Sequence, residues 1–199
     1  MKRFLIKSLV CALAALGLTG CGSSQSTNNP VVAKKVFAAD SASPELAVRT
    51  FLEAVRTGDD KKASSMLTPT ARAKTAERDL TVAPPGSATA HFEIGAVEYV
   101  TPEKDGAHVA SAWTDVDLEG KPNTDQIVWV LRKEDEGWRI AGMAVKIFEN
   151  ELPLILNFED PDDMIRKQKM ASEEIARRSN ATANEKNKGV SVAEEGTLK

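Results

Sequence analysis

The sequence predicts an α+β domain in which N-terminal helices pack on a curved antiparallel sheet of four strands, with a C-terminal helical extension. Three observations lead to this prediction. Helix caps and helical apolar spacing occupy residues 43–80, strand-like segments separated by turn residues occupy 91–147, and a charged helical pattern follows at 161–178. Short connections between consecutive strands make those strands antiparallel.

Two cap-then-proline pairs mark the starts of helices in the first part. Ser43-Pro44 and Thr68-Pro69 each place a capping oxygen before a proline at the first helical position. One apolar helix face is then formed by Val48, Phe51, Leu52 and Val55. This helix should end at Gly58, and two further helices should follow, one from Asp59 to about residue 67 and one from Thr68 to about residue 80.

Residues 91–147 consist of strand-like segments separated by turn residues. The turns carry glycine or proline together with charge, at 104–106, 120–123 and 134–137. The expected strands are His91–Val100, Ala107–Leu118, Gln126–Lys133 and Trp138–Ile147. Helices first and a meander afterwards predict helices on one face of the sheet.

The N-terminus has the layout of a secretory signal peptide. Lys2 and Arg3 precede an apolar run at 8–18 that is too short to span a bilayer, which takes about 20 apolar residues. The residues Leu18-Thr19-Gly20-Cys21 resemble the lipobox of bacterial lipoproteins. The resemblance implies removal of residues 1–20 and lipidation of Cys21, the alternative being an ordinary secreted protein with a chance cysteine.

The lipid would attach the protein to a membrane without a spanning segment. Residues 21–42 are predicted to form a flexible tether, with a reach of about 25 Å for about 20 residues. Gly22 stands where the family's inner-membrane retention signal has aspartate, so the expected location is the cell envelope, at the outer membrane. Loss of Lys2, Arg3 and Lys7 would change the formal net charge from −3 to −6, which argues against a nucleic-acid partner.

Residues 43–148 resemble the nuclear-transport-factor-2-like, or cystatin-like, superfamily of α+β cones. The residues that carry the resemblance are 44–47, Phe51-Leu52, Gly58-Asp59, 66–69 and 137–142. Enzymes of this superfamily, such as isomerases and cyclases, use an aspartate or histidine inside the cone. The resemblance therefore implies a cone-shaped fold, and it raises the question of whether this chain has such a group.

The candidate catalytic residues are Asp115 and His91, with Tyr99 and Asp117 as further possibilities. Period-two alternation puts Ser111, Trp113, Asp115 and Asp117 on one face of the second strand. The alternative for two such acids near a strand end is a solvated, non-catalytic role, and no catalytic motif surrounds them. The sequence has two histidines, His91 and His108, and neither has a second ligand at metal-binding spacing, so neither a metal nor another cofactor is expected.

Ligand-binding candidates are Trp113 and Tyr99, although the tryptophans are also expected to fill the core. The apolar stretch 152–158 and the charged helix 161–178 could together contact a protein partner. The alternative is that the stretch folds back on its own domain. Within that helix, Ile165, Gln168, Ser172 and Ile175 are expected to share one side, while residues 180–199 are predicted to be a disordered tail.

The sequence thus predicts a signal peptide at 1–20, a tether at 21–42, an α+β domain at 43–148, an apolar segment and helix at 149–179, and a tail at 180–199. The leading functional hypothesis is a non-enzymatic, lipid-anchored envelope protein that binds a ligand or a protein. An isomerase-like or cyclase-like enzyme and a structural spacer are the two alternatives.

Overall fold

The structure is a computed structural model that describes residues 41–83, 86–117, 120–148 and 150–194. The signal peptide, the lipobox and nearly all of the predicted tether lie outside the described residues. Helices α1 (Pro44–Thr57), α2 (Asp60–Ser65) and α3 (Pro69–Glu77) come first, as the sequence predicts. Ser43, Asp59 and Thr68 cap them by accepting backbone N–H bonds, and Gly58 ends α1 with a φ of 73°.

The sheet has five strands, so the prediction of four is wrong. They are β1 (His91–Tyr99), β2 (Gly106–Val116), β3 (Pro122–Glu134), β4 (Gly137–Val145) and β5 (Leu154–Asn157). Their spatial order is the chain order and every neighbouring pair is antiparallel. The α+β class, with helices and an antiparallel meander, is confirmed.

Strand β5 comes from the apolar stretch that the sequence marks as a possible partner surface. It pairs with the second half of β4, with Leu156 opposite Met143. Leu156 and Phe158 are buried, whereas Leu152 is 92% and Ile155 59% exposed. The stretch folds back on its own domain because pairing with β4 satisfies its backbone while its inward side chains join the core.

The last helix, α4 (Pro161–Glu194), is longer than predicted. Its helical backbone includes residues 180–194, which corrects the prediction of a disordered tail there, while 195–199 lie outside the described residues. Residues 180–194 contain no proline, and their alanine, glutamate and lysine residues favour helix, whereas Asn180, Asn184, Asn187 and Gly189 disfavour it. The sequence predicts disorder for this segment because its apolar residues do not recur at helical spacing.

The buried face of α4 includes two of the four predicted residues, Gln168 and Ile175. It is formed by Met164, Gln168, Ala171 and Ile175. Ile165 is 38% exposed and Ser172 is exposed, so those two predicted members face away from the domain. Lys167 donates to the Ile155 carbonyl, which fixes α4 along the edge strand β5.

The domain begins two residues before the predicted boundary at 43. Ser41 is fully buried, donates its hydroxyl to the Glu136 carbonyl and accepts the Trp138 N–H. Gly137 permits this contact, since a Cβ there would lie 2.7 Å from the Ser41 carbonyl oxygen. The predicted tether is therefore shorter than 21–42 at its C-terminal end.

The core lies between α1 and the inner face of the sheet, the face that carries Val109, Trp113, Trp129 and Met143. Phe51 of α1 meets Trp129 edge to face, at 5.2 Å between ring centroids. Within the described ranges, no helix combines the length and the apolar character that a bilayer crossing requires.

One buried polar side chain on α4, that of Gln168, should lower the free energy of unfolding. The Gln168 side chain is 3% exposed, and neither its Nε2 nor its Oε1 atom has a hydrogen-bond partner among the described residues. Gln168→Met keeps the unbranched shape and removes the amide, so we expect the free energy of unfolding to rise by about 1–3 kcal/mol. Urea unfolding measures this change.

The matched control is Gln126→Met, at an exposed position on β3. This change should alter the unfolding free energy by no more than about 0.5 kcal/mol. Equal effects of the two substitutions would show that the Gln168 amide carries no burial penalty.

Candidate binding cavity

An apolar cavity of about 70 Å³ lies between the helices and the inner face of the sheet. Helix α1, the sheet and the segment that leads from β5 into α4 each supply part of its wall. The lining side chains include Phe51, Val55, Trp113, Met143, Phe158 and Met164. None of the lining residues is charged, so the cavity offers an apolar environment of the kind that small-molecule sites use.

The segment 79–83 closes one side of the cavity. Leu80, Thr81 and Val82 line it, and Thr81 is exposed on the outside. The Asp60 carboxylate accepts the Val82 N–H at 2.7 Å and the Ala83 N–H at 3.0 Å. Asp79 precedes the segment with a φ of 50°, a left-handed conformation that turns the chain back over α3. Two hydrogen bonds to one carboxylate oxygen thus hold this side closed.

Two polar side chains of the wall, Trp129 and Thr75, have hydrogen-bond partners within the protein. The Trp129 indole N–H donates to the Ser111 hydroxyl at 2.9 Å. The Thr75 hydroxyl donates to the carbonyl of Ala71 at 2.9 Å, one turn earlier in α3. These bonds engage the indole N–H of Trp129 and the hydroxyl proton of Thr75 within the protein.

Contacts at the start of α4 hold another part of the cavity wall. The Glu159 carboxylate, in the turn before α4, accepts from the Thr68 hydroxyl at 2.7 Å and pairs with Arg132 of β3. Arg78 donates to Asp162 at 2.5 Å, which links the end of α3 to the first turn of α4. Because Phe158 and Met164 flank these contacts, the polar network positions two cavity-lining side chains.

The candidate acid Asp115 lies outside the cavity lining. Its carboxylate accepts from Thr89 at 2.5 Å, from Ser87 at 3.1 Å and from the Val116 N–H at 2.8 Å. Burial is the largest influence on the Asp115 pKa and raises it, but these hydrogen bonds together hold the pKa below its usual value. An ionised carboxylate whose Oδ1 atom accepts three hydrogen bonds fastens the 87–89 loop to β2 and is poorly suited to give or take a proton at pH 7.

The other predicted catalytic and ligand-binding residues do not come together in one site. His91 is exposed at the start of β1, and Tyr99 is 46% exposed at its end, with its ring 5.9 Å from that of Trp138. The Asp117 carboxylate accepts the Lys121 N–H in the turn after β2. Of these candidates, Trp113 alone is a lining residue, and its ring stacks on Phe92 at 6.1 Å.

Apart from Trp129, one of the tryptophans considered for a pocket, the lining residues from outside β2 were not predicted as ligand-binding residues. Met164 could have been found, because Met164, Gln168, Ala171 and Ile175 also fit helical spacing. The 80–82 segment and Phe158 gave no such signal, since long-range hydrogen bonds place them. Across the part of the chain that the structure describes, no group of three or more histidine, cysteine or acidic side chains is arranged to hold a metal ion.

Comparison with known proteins finds similarity among solved structures. No protein-family model matches the chain, and no curated protein matches it. Among solved structures, the chain is similar to the association domain of C. elegans CaMKII, with 17% sequence identity and a TM-score of 0.32. The match covers 57% of this chain and 95% of that chain.

The structural role of Asp115 gives a pH-dependent prediction. Because folding lowers its pKa, the carboxylate stabilises the fold above the unfolded aspartate pKa of about 3.9, and this contribution is lost as the pH falls through the folded pKa. Asp115→Asn should lower the urea midpoint at pH 7, and its difference from the unsubstituted protein should narrow below about pH 4.

Asp135→Asn is the control, at an exposed position in the β3–β4 turn. It should leave the urea midpoint unchanged at both pH values. If Asp115→Asn left the midpoint at pH 7 unchanged as well, the carboxylate would not be fastening the loop.

Proposed function

We propose that this protein is a lipid-anchored envelope protein whose α+β domain, a cone of the nuclear-transport-factor-2-like type, binds a small apolar molecule under its sheet. The cavity carries this proposal. Its wall combines aromatic, aliphatic and methionine side chains and has no charged residue. Such cavities exclude water and favour apolar guests.

The volume of the cavity limits the size of the molecule that can bind inside it. An apolar cavity of about 150 Å³ takes up benzene or xenon. The volume here is about 70 Å³, so a guest that lies wholly inside should have a compact body of few carbons. The 79–83 segment is the natural entry, because it has one exposed side and its closure depends on two hydrogen bonds to Asp60.

An acid–base reaction in the cavity finds no support in the surroundings of the two named candidates. Asp115 is engaged by three donors outside the lining, and His91 is exposed. A binding module fits the apolar lining better than an isomerase or cyclase does. Four large apolar side chains of segment 152–178 are exposed and stay accessible to a protein partner, namely Leu152, Ile155, Ile165 and Met170.

Binding in the cavity can be tested with a variant that fills it. Val82→Phe places a ring at a lining position, and cyclopropane, a three-carbon ring, serves as the probe. We expect cyclopropane to shift backbone amide NMR signals around Trp113 and Met143 in the unsubstituted domain. Val82→Phe should weaken this binding at least about tenfold, because the ring occupies the same space.

The matched control is Val128→Phe, at a 37% exposed valine on the outer face of β3. It should leave cyclopropane binding unchanged. Equal binding by both variants would place the guest elsewhere and contradict the proposal.

The anchor is tested separately at Cys21, which the lipobox resemblance marks for lipidation. Cys21→Ser removes the acceptor thiol, so the protein should move from the membrane fraction to the soluble fraction and lose the mass of its acyl groups. Cell fractionation and intact-mass spectrometry measure both. A Cys21→Ser protein that still sediments with membranes would contradict anchoring through this residue.

A further inference from the structure

Three exposed apolar side chains lie beside one another where β5 meets α4. Leu152 is 92%, Ile155 59% and Met170 61% exposed. These three side chains are called the edge patch below. Removing apolar side chains of this size from water is favourable, and exposed ones that lie together mark a surface that contacts a protein or a membrane.

Contacts between α4 and the segment before it hold the edge patch together. Lys167 donates to the Ile155 carbonyl at 3.1 Å. Arg178, about three turns further along α4, pairs with Glu151. Met170 lies between these two contacts, three residues after Lys167 and on the same side of the helix. The chain that joins Glu151 to Ile155 therefore runs alongside the part of α4 that carries Met170.

The charged side chains next to the edge patch are paired within the domain. The Lys167 ammonium lies 2.6 Å from the Asp163 carboxylate, and the Arg178 guanidinium lies 2.6 Å from the Glu174 carboxylate. Arg178 also covers the Phe148 ring, at 3.8 Å from its centroid. The patch thus presents apolar side chains within a rim of paired charges. Such a rim suits the head groups of zwitterionic lipids, because these also carry both charges.

The size of the edge patch favours a lipid surface over a protein partner. A standard protein–protein interface takes about 20–30 residues from each partner. A patch of three side chains is far smaller, and it becomes effective when another attachment already holds the domain beside its target. The lipid at Cys21 would supply that attachment, and it would do so to a membrane.

The predicted tether has the length that a membrane contact of the edge patch requires. The described chain begins at Ser41, which pairs with Trp138 near the start of β4. Ile155 pairs with Ala144 near the other end of β4. Six residues of strand span about 20 Å, so the tether would bridge at most about this distance. Its root-mean-square reach is about 25 Å, and a linker is most effective when its reach matches the span.

We propose that the edge patch rests on the membrane to which Cys21 is attached, with Leu152, Ile155 and Met170 inserted at the level of the lipid head groups. This inference rests on the lipid anchor of the proposed function and adds the orientation of the domain. Strand β5 and the adjacent side of α4 face the bilayer. Strand β1, at the opposite edge of the sheet, points away from it.

The test couples the chain to a bilayer chemically. In residues 21–199, Cys21 is the only cysteine of the sequence, so a maleimide lipid in a phosphatidylcholine nanodisc attaches the mature chain at the predicted anchor position. A gadolinium-chelating lipid in the same nanodisc weakens the NMR signals of nearby methyl groups. The Ile155 methyl signal should lose at least about threefold more intensity than the Val97 signals, because four strand spacings of about 4.8 Å separate β5 from β1.

A double variant, Leu152→Ser with Met170→Ser, should abolish this difference, because it removes two of the three apolar contacts with the bilayer. Both residues are exposed, and a urea midpoint close to that of the unsubstituted chain verifies that the variant is folded. Val100→Ser is the control, at a 47% exposed valine just after β1. It should leave the difference between Ile155 and Val97 unchanged.

Equal loss of intensity at Ile155 and Val97 in the unsubstituted chain would show that no face of the domain prefers the bilayer. That result would overturn the inference and leave the edge patch to a protein partner. A difference that survives the double variant would also contradict it. Because the coupling is chemical, the outcome depends neither on lipidation in cells nor on the cavity, which the Cys21→Ser fractionation and the cyclopropane titration test separately.

Discussion

The outer edge of strand β4 is the constraint on which the domain depends. Two chain segments share this edge. The first half is covered by residues 66–68, through Ile140 N–H to the Met66 carbonyl and Thr68 N–H to the Ile140 carbonyl, both at 2.9 Å. The second half is covered by β5, and the Phe158 N–H donates to the Ala141 carbonyl where the two meet. An edge left open here would expose unpaired backbone groups.

This shared edge creates the cavity. Pairing at 66–68 fixes α3 against the sheet, and pairing at 154–158 fixes the start of α4 beside it, with Glu159 bonded to both Thr68 and Arg132. Helix α1, the sheet and α4 then meet around a space that their side chains do not fill. Burying Leu156 and Phe158 contributes about 1.5–3 kcal/mol each, which helps to offset the unpaired amide of Gln168.

The sequence predicts those helices and strands that depend on interactions between residues close together in the chain. Ser43-Pro44, Gly58 and Thr68-Pro69 act within a few residues, so the three N-terminal helices were predictable, as was the meander from its turns. Strand β5 was not, because four residues form a strand here only through pairing with β4. The cavity was equally hidden, since the bonds from Asp60 to 82–83 and from Glu159 to Thr68 join residues 22 or more positions apart.

Locating a guest atom in the core tests the central claim most directly. Crystals of the protein under xenon pressure should show one strong xenon site bounded by Phe51, Trp113 and Met143, because xenon enters dry apolar cavities. The surrounding side chains should move little. Crystals that take up xenon at other sites and show none between α1 and the sheet would contradict the account.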